Sequence, residues 1–221
     1  LIVHLPEKFR KNKQGTPGTV SDQLVSSIDF GPTVLSLAGL PIPKATQGRP
    51  FLGPKTAPAR DYVYGARDRM DERYDIIRMV RDQRFRYIRN YEPYKTWYQY
   101  MNTPEKGRLM REIRRVATLD ELPAAAKLFM APTKPVEELY DCEVDPHELN
   151  NLAADPKHRE TLEQMRGVHM QWVLDTKDLG LIPEPEIAIR EAKFGSRFAI
   201  LRQSGAETLM ARVRDAAALS L

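Results

Sequence analysis

Apolar positions along this chain follow two periods. Leu1–Leu5, apolar except at His4 and closed by Pro6, predicts a buried strand, and Leu24–Ile28 predicts a second short one. Tyr62–Ala66 alternates. Ile76–Val80 and Phe85–Ile88 read as a hairpin turning near Arg81-Asp82-Gln83-Arg84, with Ile77 and Met79 on one face. Leu139 and Tyr140 alternate with Glu138 and Asp141, as in the end of a half-buried strand. These last four segments predict a small antiparallel sheet of about four strands. Helical spacing appears elsewhere. Val34, Leu35, Leu37 and Ala38 give an apolar face to a helix capped by Asp29, with Pro32 in its first turn and Gly39 at its end. Leu162, Met165, His169, Trp172 and Val173 predict an amphipathic helix over Lys157–Asp175 that covers the sheet. Arg108–Arg115 and Ala124–Phe129 predict surface helices, and Ile187–Lys193 and Glu207–Leu221 two more.

The breaks between these elements divide the chain. Glu7–Thr19 is a basic loop, and Leu40–Pro58 holds five prolines and two glycines without a helical period. The resulting division is 1–58, then 59–180 with a variable insertion at 91–134, then a linker and helical extension at 181–221. Within the second part, Glu137–Ala153 reads E-E-L-Y-D-C-E-V-D-P-H-E-L-N-N-L-A. Asp145-Pro146 forces a turn, because a residue before proline is pushed out of the helical region. Asn150-Asn151 suit turn or left-handed backbone, Leu149 and Leu152 are expected to tuck under the loop, and Asp155-Pro156 reads as a cap and first helical residue.

Composition adds bounds. With 221 residues, 42% apolar and 29% charged, the chain is ordinary for a globular protein with a sizeable core. A net charge of +4 fits an anionic substrate or partner and is too small to argue for nucleic acid. No window approaches the roughly 20 apolar residues of a membrane helix. The single cysteine, Cys142, excludes an intrachain disulfide. The chain opens directly on the strand-like Leu1-Ile2-Val3, which leads us to expect a piece of a longer protein.

Catalytic and metal motifs are scarce. No Cys/His cluster has zinc spacing, no glycine loop suits phosphate, and G-x-S-x-G does not occur. His4 is expected to be a packed core residue and His147 part of a turn. His158 and His169 stand eleven residues apart, roughly three helical turns, too far to share a metal. The segment A-R-D-R-M-D-E-R-Y-D (Ala66–Asp75) interleaves arginines and carboxylates in a loop after a strand. Arginine forks suit sulfate or carboxylate, and carboxylates suit sugar hydroxyls. On spacing alone a solvated loop of mutually paired charges is the plainer account. The stretch Tyr87–Tyr100 carries Tyr87, Tyr91, Tyr94, Trp97, Tyr98 and Tyr100 with Arg89 and Lys95, suited either to stacking on sugar rings or bases or to packing on the sheet.

The Glu137–Ala153 string resembles the C-terminal signature of the sulfatases, in the alkaline phosphatase superfamily. V-S-S-I-D-F-G-P-T-V-L-S-L-A-G-L (Val25–Leu40), Q-G-R-P-F-L (Gln47–Leu52) and L-I-V-H-L-P (Leu1–Pro6) are similar to sulfatase motifs in the same order, so the likeness runs from Leu1 to about Trp172. The arginine segment and the following Ile77–Tyr91 are similar to a bacterial group related to the heparan N-sulfatases. Cys142 departs mildly, standing where Leu is usual.

The resemblance implies an α/β fold: residues 1–58 as the C-terminal end of a large mixed-sheet domain, and 59–180 as a smaller subdomain of antiparallel sheet and helix. It implies a parent enzyme that hydrolyses sulfate esters or sulfamates with calcium and a formylglycine nucleophile. It places the calcium ligands and the C/S-x-P-x-R motif in a preceding N-terminal catalytic part, so this segment is expected to be inactive alone and to bind no metal. It makes Arg67, Arg69, Asp71 and Glu72 candidates for the substrate rim, with a sulfated small molecule or glycan as substrate, and implies a periplasmic or extracellular location. The alternative is a non-catalytic module that binds an anionic glycan or nucleic acid.

Overall fold

The computed structural model describes residues 1–10 and 16–219; the middle of the predicted basic loop and the last two residues of the predicted C-terminal helix lie outside them. The chain forms two compact units, Leu1–Tyr64 with Arg81–Gln83, and Gly65–Val80 with Arg84–Leu221.

In the first unit the two predicted strands do not form. Leu1–Leu5 is extended or irregular, Leu24–Ile28 runs into a 3-10 turn at Ser27–Asp29, and neither segment pairs as a strand with a neighbour among the described residues. A strand exists only where another edge satisfies its backbone groups. His4 is accordingly exposed rather than packed. The predicted helix is present as α1, Phe30–Leu37, but its buried face is Pro32, Thr33 and Ser36, while Val34 is 64% exposed. The loop that follows explains this inversion. Ser36 Oγ accepts the Lys55 N–H at 3.0 Å, and Thr33 Oγ1 accepts the Phe51 N–H at 3.1 Å. The buried carboxylate of Asp29 accepts from the backbone of Ser26 and Arg49 and from the Arg60 guanidinium at 2.6–2.8 Å. The Gln47–Leu52 motif is thus laid onto α1 by backbone hydrogen bonds to its polar residues. Gly48 is required there, since a Cβ would lie 2.0 Å from the Ile28 carbonyl oxygen.

The predicted small sheet is borne out. β1 (Val63–Arg67), β2 (Ile77–Arg81), β3 (Phe85–Asn90) and β4 (Glu137–Asp141) lie in that order in a four-stranded antiparallel sheet. β3 and β4 pair with Tyr87 opposite Leu139 and Arg89 opposite Glu137. Tyr87 and Leu139 are both fully buried. β4 is buried on both faces rather than half-buried, because each of its glutamates is satisfied internally. Glu137 accepts from the Tyr87 hydroxyl at 2.5 Å and from the Arg166 guanidinium at 2.7 and 2.8 Å. On the other face Glu138 accepts from Asn90 at 2.6 Å and from the Tyr140 hydroxyl at 2.5 Å. Burial pushes the Glu138 carboxyl up, with the two hydrogen bonds opposing that shift.

Arg166 belongs to the covering helix α5, Arg159–Thr176, whose buried residues Leu162, Met165, His169 and Val173 follow the predicted spacing. Asp155 caps the helical turn ahead of it, accepting the Lys157 N–H at 2.9 Å. The β4–α5 loop is held by side chains. Asn151 accepts from the backbone of Leu139 and Ala153 at 3.0 Å and donates to the Glu137 carbonyl at 3.1 Å. Asp145 accepts from the backbone of Leu149 and Asn150 at 2.7–2.8 Å. Left-handed backbone falls on Glu148 (φ 55°), not on the asparagines, and Leu149 is exposed rather than tucked in.

Between β3 and β4 the insertion forms α2 (Asn102–Lys106), α3 (Arg108–Thr118) and α4 (Ala124–Phe129). After α5 come α6 (Glu184–Phe194), α7 (Arg197–Ile200) and α8 (Ala206–Leu219). Val173 at the end of α5, Ile182, Ile200, Leu201 and Met210 form a core that joins this extension to the covering helix.

Candidate functional site

The arginine-rich segment lies between β1 and β2, in the second unit. Met70 and Arg73 exchange backbone hydrogen bonds at 2.7 and 2.9 Å, closing a two-residue turn with Asp71 and Glu72 at its exposed tip. Asp71 takes φ 49°, a left-handed conformation that Asp tolerates better than most residues. Arg67 is the last residue of β1, partly buried, and its carbonyl accepts from the Arg78 guanidinium at 3.1 Å.

Arg69 has a definite partner. Its Nε lies 2.9 Å from both carboxylate oxygens of Glu184, and its Nη2 donates to Oε2 at 2.6 Å. The pair holds Glu184 below the usual carboxylate range and Arg69 above its ordinary value, chiefly through these hydrogen bonds. The guanidinium also lies over the Tyr74 ring, 5.1 Å from its centroid. Lys95 Nζ stands 4.3 Å from the same centroid and donates to the Tyr74 carbonyl at 3.0 Å. Burial raises the Tyr74 hydroxyl. Tyr94, next to Lys95, is 68% exposed.

Below this surface Arg78, in the middle of β2, is fully buried. It donates to both oxygens of Asp178 at 2.5 and 3.0 Å and pairs with Asp68 at 2.9 Å. Asp178 also accepts the Gly180 N–H at 3.0 Å. Gly180 packs so tightly here that a Cβ would meet Arg78 Nη2 at 2.2 Å and Asp68 Oδ2 at 2.6 Å. The segment from Asp178 to Glu184 is therefore fastened to the loop by Arg69 and to β2 by Arg78, two ion pairs each spanning about a hundred residues of chain.

The matches to known proteins name the lineage. A family model described as N-sulphoglucosamine sulphohydrolase, C-terminal, matches residues 1–122, more than half of the chain. The chain belongs to this sulfatase family. An ulvan-active sulfatase of Formosa agariphila is 36% identical over 187 residues, covering 85% of this chain and 30% of that protein. The N-sulphoglucosamine sulphohydrolase of Homo sapiens is 27% identical over 192 residues, covering 80% of this chain and 37% of that one. Among solved structures, a 2-O GAG sulfatase is 22% identical with a TM-score of 0.46, covering 72% of this chain and 27% of that one. The chain spans about a third of the length of the curated relatives it matches.

For a sulfatase C-terminal region, the positions of the sequence candidates are informative. Asp71 and Glu72 reach solvent at the turn tip, and Arg69 sits just before it. Arg67 lies further back, on the strand. Of the aromatic stretch, Tyr87 is fully buried under α5, whereas Tyr94 and Tyr100 are 68% and 63% exposed. Glu184, Asp178 and Gly180 are invisible in sequence, because nothing local marks a pair so distant along the chain.

A cavity of about 260 Å³ lies elsewhere, lined in part by Tyr91, Arg166, Gly167, His169, Met170 and Arg214. Burial, with Arg89 and Arg78 nearby, pushes the His169 imidazole down to about 4, so it is neutral at pH 7. Cys142, just after β4, has its Sγ 4.0 Å from Glu148 Oε1. Among the described residues no group of three or more His, Cys, Asp or Glu is arranged to hold a metal ion. The described residues therefore offer no cluster that fits the calcium that the family resemblance implies. No helix among them is long and apolar enough to cross a membrane.

Proposed function

We propose that this chain is the C-terminal portion of a sulfatase that removes sulfate from a sulfated polysaccharide, and that it contributes scaffold and substrate rim rather than the reacting centre. The observation that carries the reading is the 36% identity to an ulvan-active sulfatase across 85% of the chain, against 27% to the human N-sulphoglucosamine sulphohydrolase. An ulvan-type sulfated glycan is therefore the proposed substrate class. Calcium and the formylglycine nucleophile would belong to the part of the longer protein that precedes this segment. An exported location suits a polymer substrate.

On this reading each loop residue has a defined task. The Arg69 fork pairs with an anionic substituent through two parallel N–H donors. Asp71 and Glu72, acceptor-only groups at the exposed tip, take hydrogen bonds from sugar hydroxyls. Tyr94 and Tyr100 offer open ring faces to a pyranose. The test is sulfate release by the intact protein, measured by ion chromatography on ulvan oligosaccharides and on N-sulfoglucosamine. Release from ulvan oligosaccharides is expected. Release from N-sulfoglucosamine alone would overturn the substrate class, and release from neither would overturn the hydrolase reading.

A further inference from the structure

The Arg69–Glu184 pair does more than join two segments. Glu184 presents two oxygens to the Nε–Nη2 edge of Arg69. That edge is the one a sulfate or carboxylate on a ligand would use, because two parallel N–H donors match two oxygens on one centre. The seat is accessible: the two side chains are 47% and 42% exposed. Ion pairs this exposed are weak and screened by salt, so a competing anion has little to overcome. Arg69 is also held independently of the Glu184 carboxylate, through its stacking on Tyr74, whose ring Lys95 also contacts and whose hydroxyl is tied to the Glu184 backbone. Losing the carboxylate would therefore leave the guanidinium in place, with its fork empty. Beside it Tyr94 offers an open ring face, with Lys95 Nζ 5.8 Å from its centroid.

Glu184 is equally well presented. Upstream of it, Asp178 is locked to the buried Arg78, and Gly180 packs against that pair. Glu184 is the first residue of α6, so its backbone is fixed and only its side chain needs to turn away. From this geometry we infer that Glu184 is a built-in competitor for the anion seat of Arg69, displaced when the sulfate or carboxylate of a glycan binds there. This deepens the rim reading and rests on it. The carboxylate sets a threshold: a neutral sugar cannot displace it, and an anionic one gains the fork only by exchange. The seat thereby discriminates for charge as well as shape.

The experiment is a double-mutant cycle in the intact protein, reading KM for a sulfated ulvan oligosaccharide, with melting temperature as the folding control. Glu184→Gln keeps the size of the side chain and removes its charge. It is expected to lower KM on the order of 2- to 5-fold, the range of a weak exposed pair. Arg69→Ala is expected to raise KM, and adding Glu184→Gln to it should bring no further change. If Arg69→Ala raises KM while Glu184→Gln leaves it unchanged or higher, the competitor role is overturned and the rim reading stands. If Arg69→Ala itself leaves KM unchanged, the rim reading falls, and this inference with it.

Discussion

Lys134, the residue that brings the insertion back to the sheet, is ion-paired with Asp75 at the entrance to β2, and neither side chain has any exposure to solvent. Gln99 donates to the same carboxylate oxygen at 3.3 Å, and the Lys134 ammonium lies 5.2 Å from the Trp97 ring centroid. Burial lowers the Lys134 ammonium, and Asp75 opposes that shift. The Lys134 N–H also bonds the Pro93 carbonyl at 2.7 Å, so both ends of the insertion meet at this pair.

Removing one partner of such a pair leaves a buried charge without its counter-ion, which costs about 3–5 kcal/mol. Lys134→Met is therefore expected to lower the urea midpoint strongly, with the slope unchanged. Lys134→Met with Asp75→Asn should recover more than half of the loss. A single-mutant cost below about 1 kcal/mol would show that the pair does not anchor the insertion.

Two glycines give opposite expectations. Gly180→Ala drives a Cβ into Arg78 and Asp68 and should destabilise by about 1–3 kcal/mol, the usual range for overpacking. Gly167, inside α5, borders the cavity, and a methyl added at its Cα would meet nothing within 4 Å. Gly167→Ala should stabilise by about 0.5–1 kcal/mol through helix propensity alone. Thermal melts of the two variants check both signs.

His169 should make stability depend on pH. Its folded-state value of about 4 is below the ordinary 6.5, so the unfolded chain binds the extra proton first as pH falls. Its contribution is complete above about pH 6.5 and is lost toward pH 4, by at most about 1.4 kcal/mol per pH unit. The raised Glu138 carboxyl acts in the opposite direction, so the comparison must be differential. His169→Phe keeps a ring against Tyr87 and Tyr91 and should flatten the loss between pH 7 and pH 5. An unchanged slope would show that His169 is not the titrating group.

Period and turn chemistry make the second unit legible. Alternation at Ile77 and Met79, helical spacing from Leu162 to Val173, and the cap at Asp155 each depend on neighbours a few residues away. The first unit is less legible for a related reason. Leu1–Leu5 has the composition of a strand, but pairing needs a partner edge that composition cannot supply. In α1 the apolar spacing predicts a core face at Val34, Leu35 and Leu37, yet Thr33 and Ser36 are buried instead because the 49–55 loop needs their oxygens. The proposed rim is half legible: the loop and its charges are visible in sequence, but the carboxylate that occupies Arg69 comes from 115 residues away.

The central claim is that the turn between β1 and β2 touches substrate. The direct measurement is kcat/KM of the intact protein on sulfated ulvan oligosaccharides, with Asp71→Ala and Glu72→Ala compared against wild type. Each removes one hydrogen-bond acceptor for a sugar hydroxyl at an exposed position, so a loss of about 5- to 20-fold is expected, with melting temperature held. Wild-type kinetics in both variants would contradict the account.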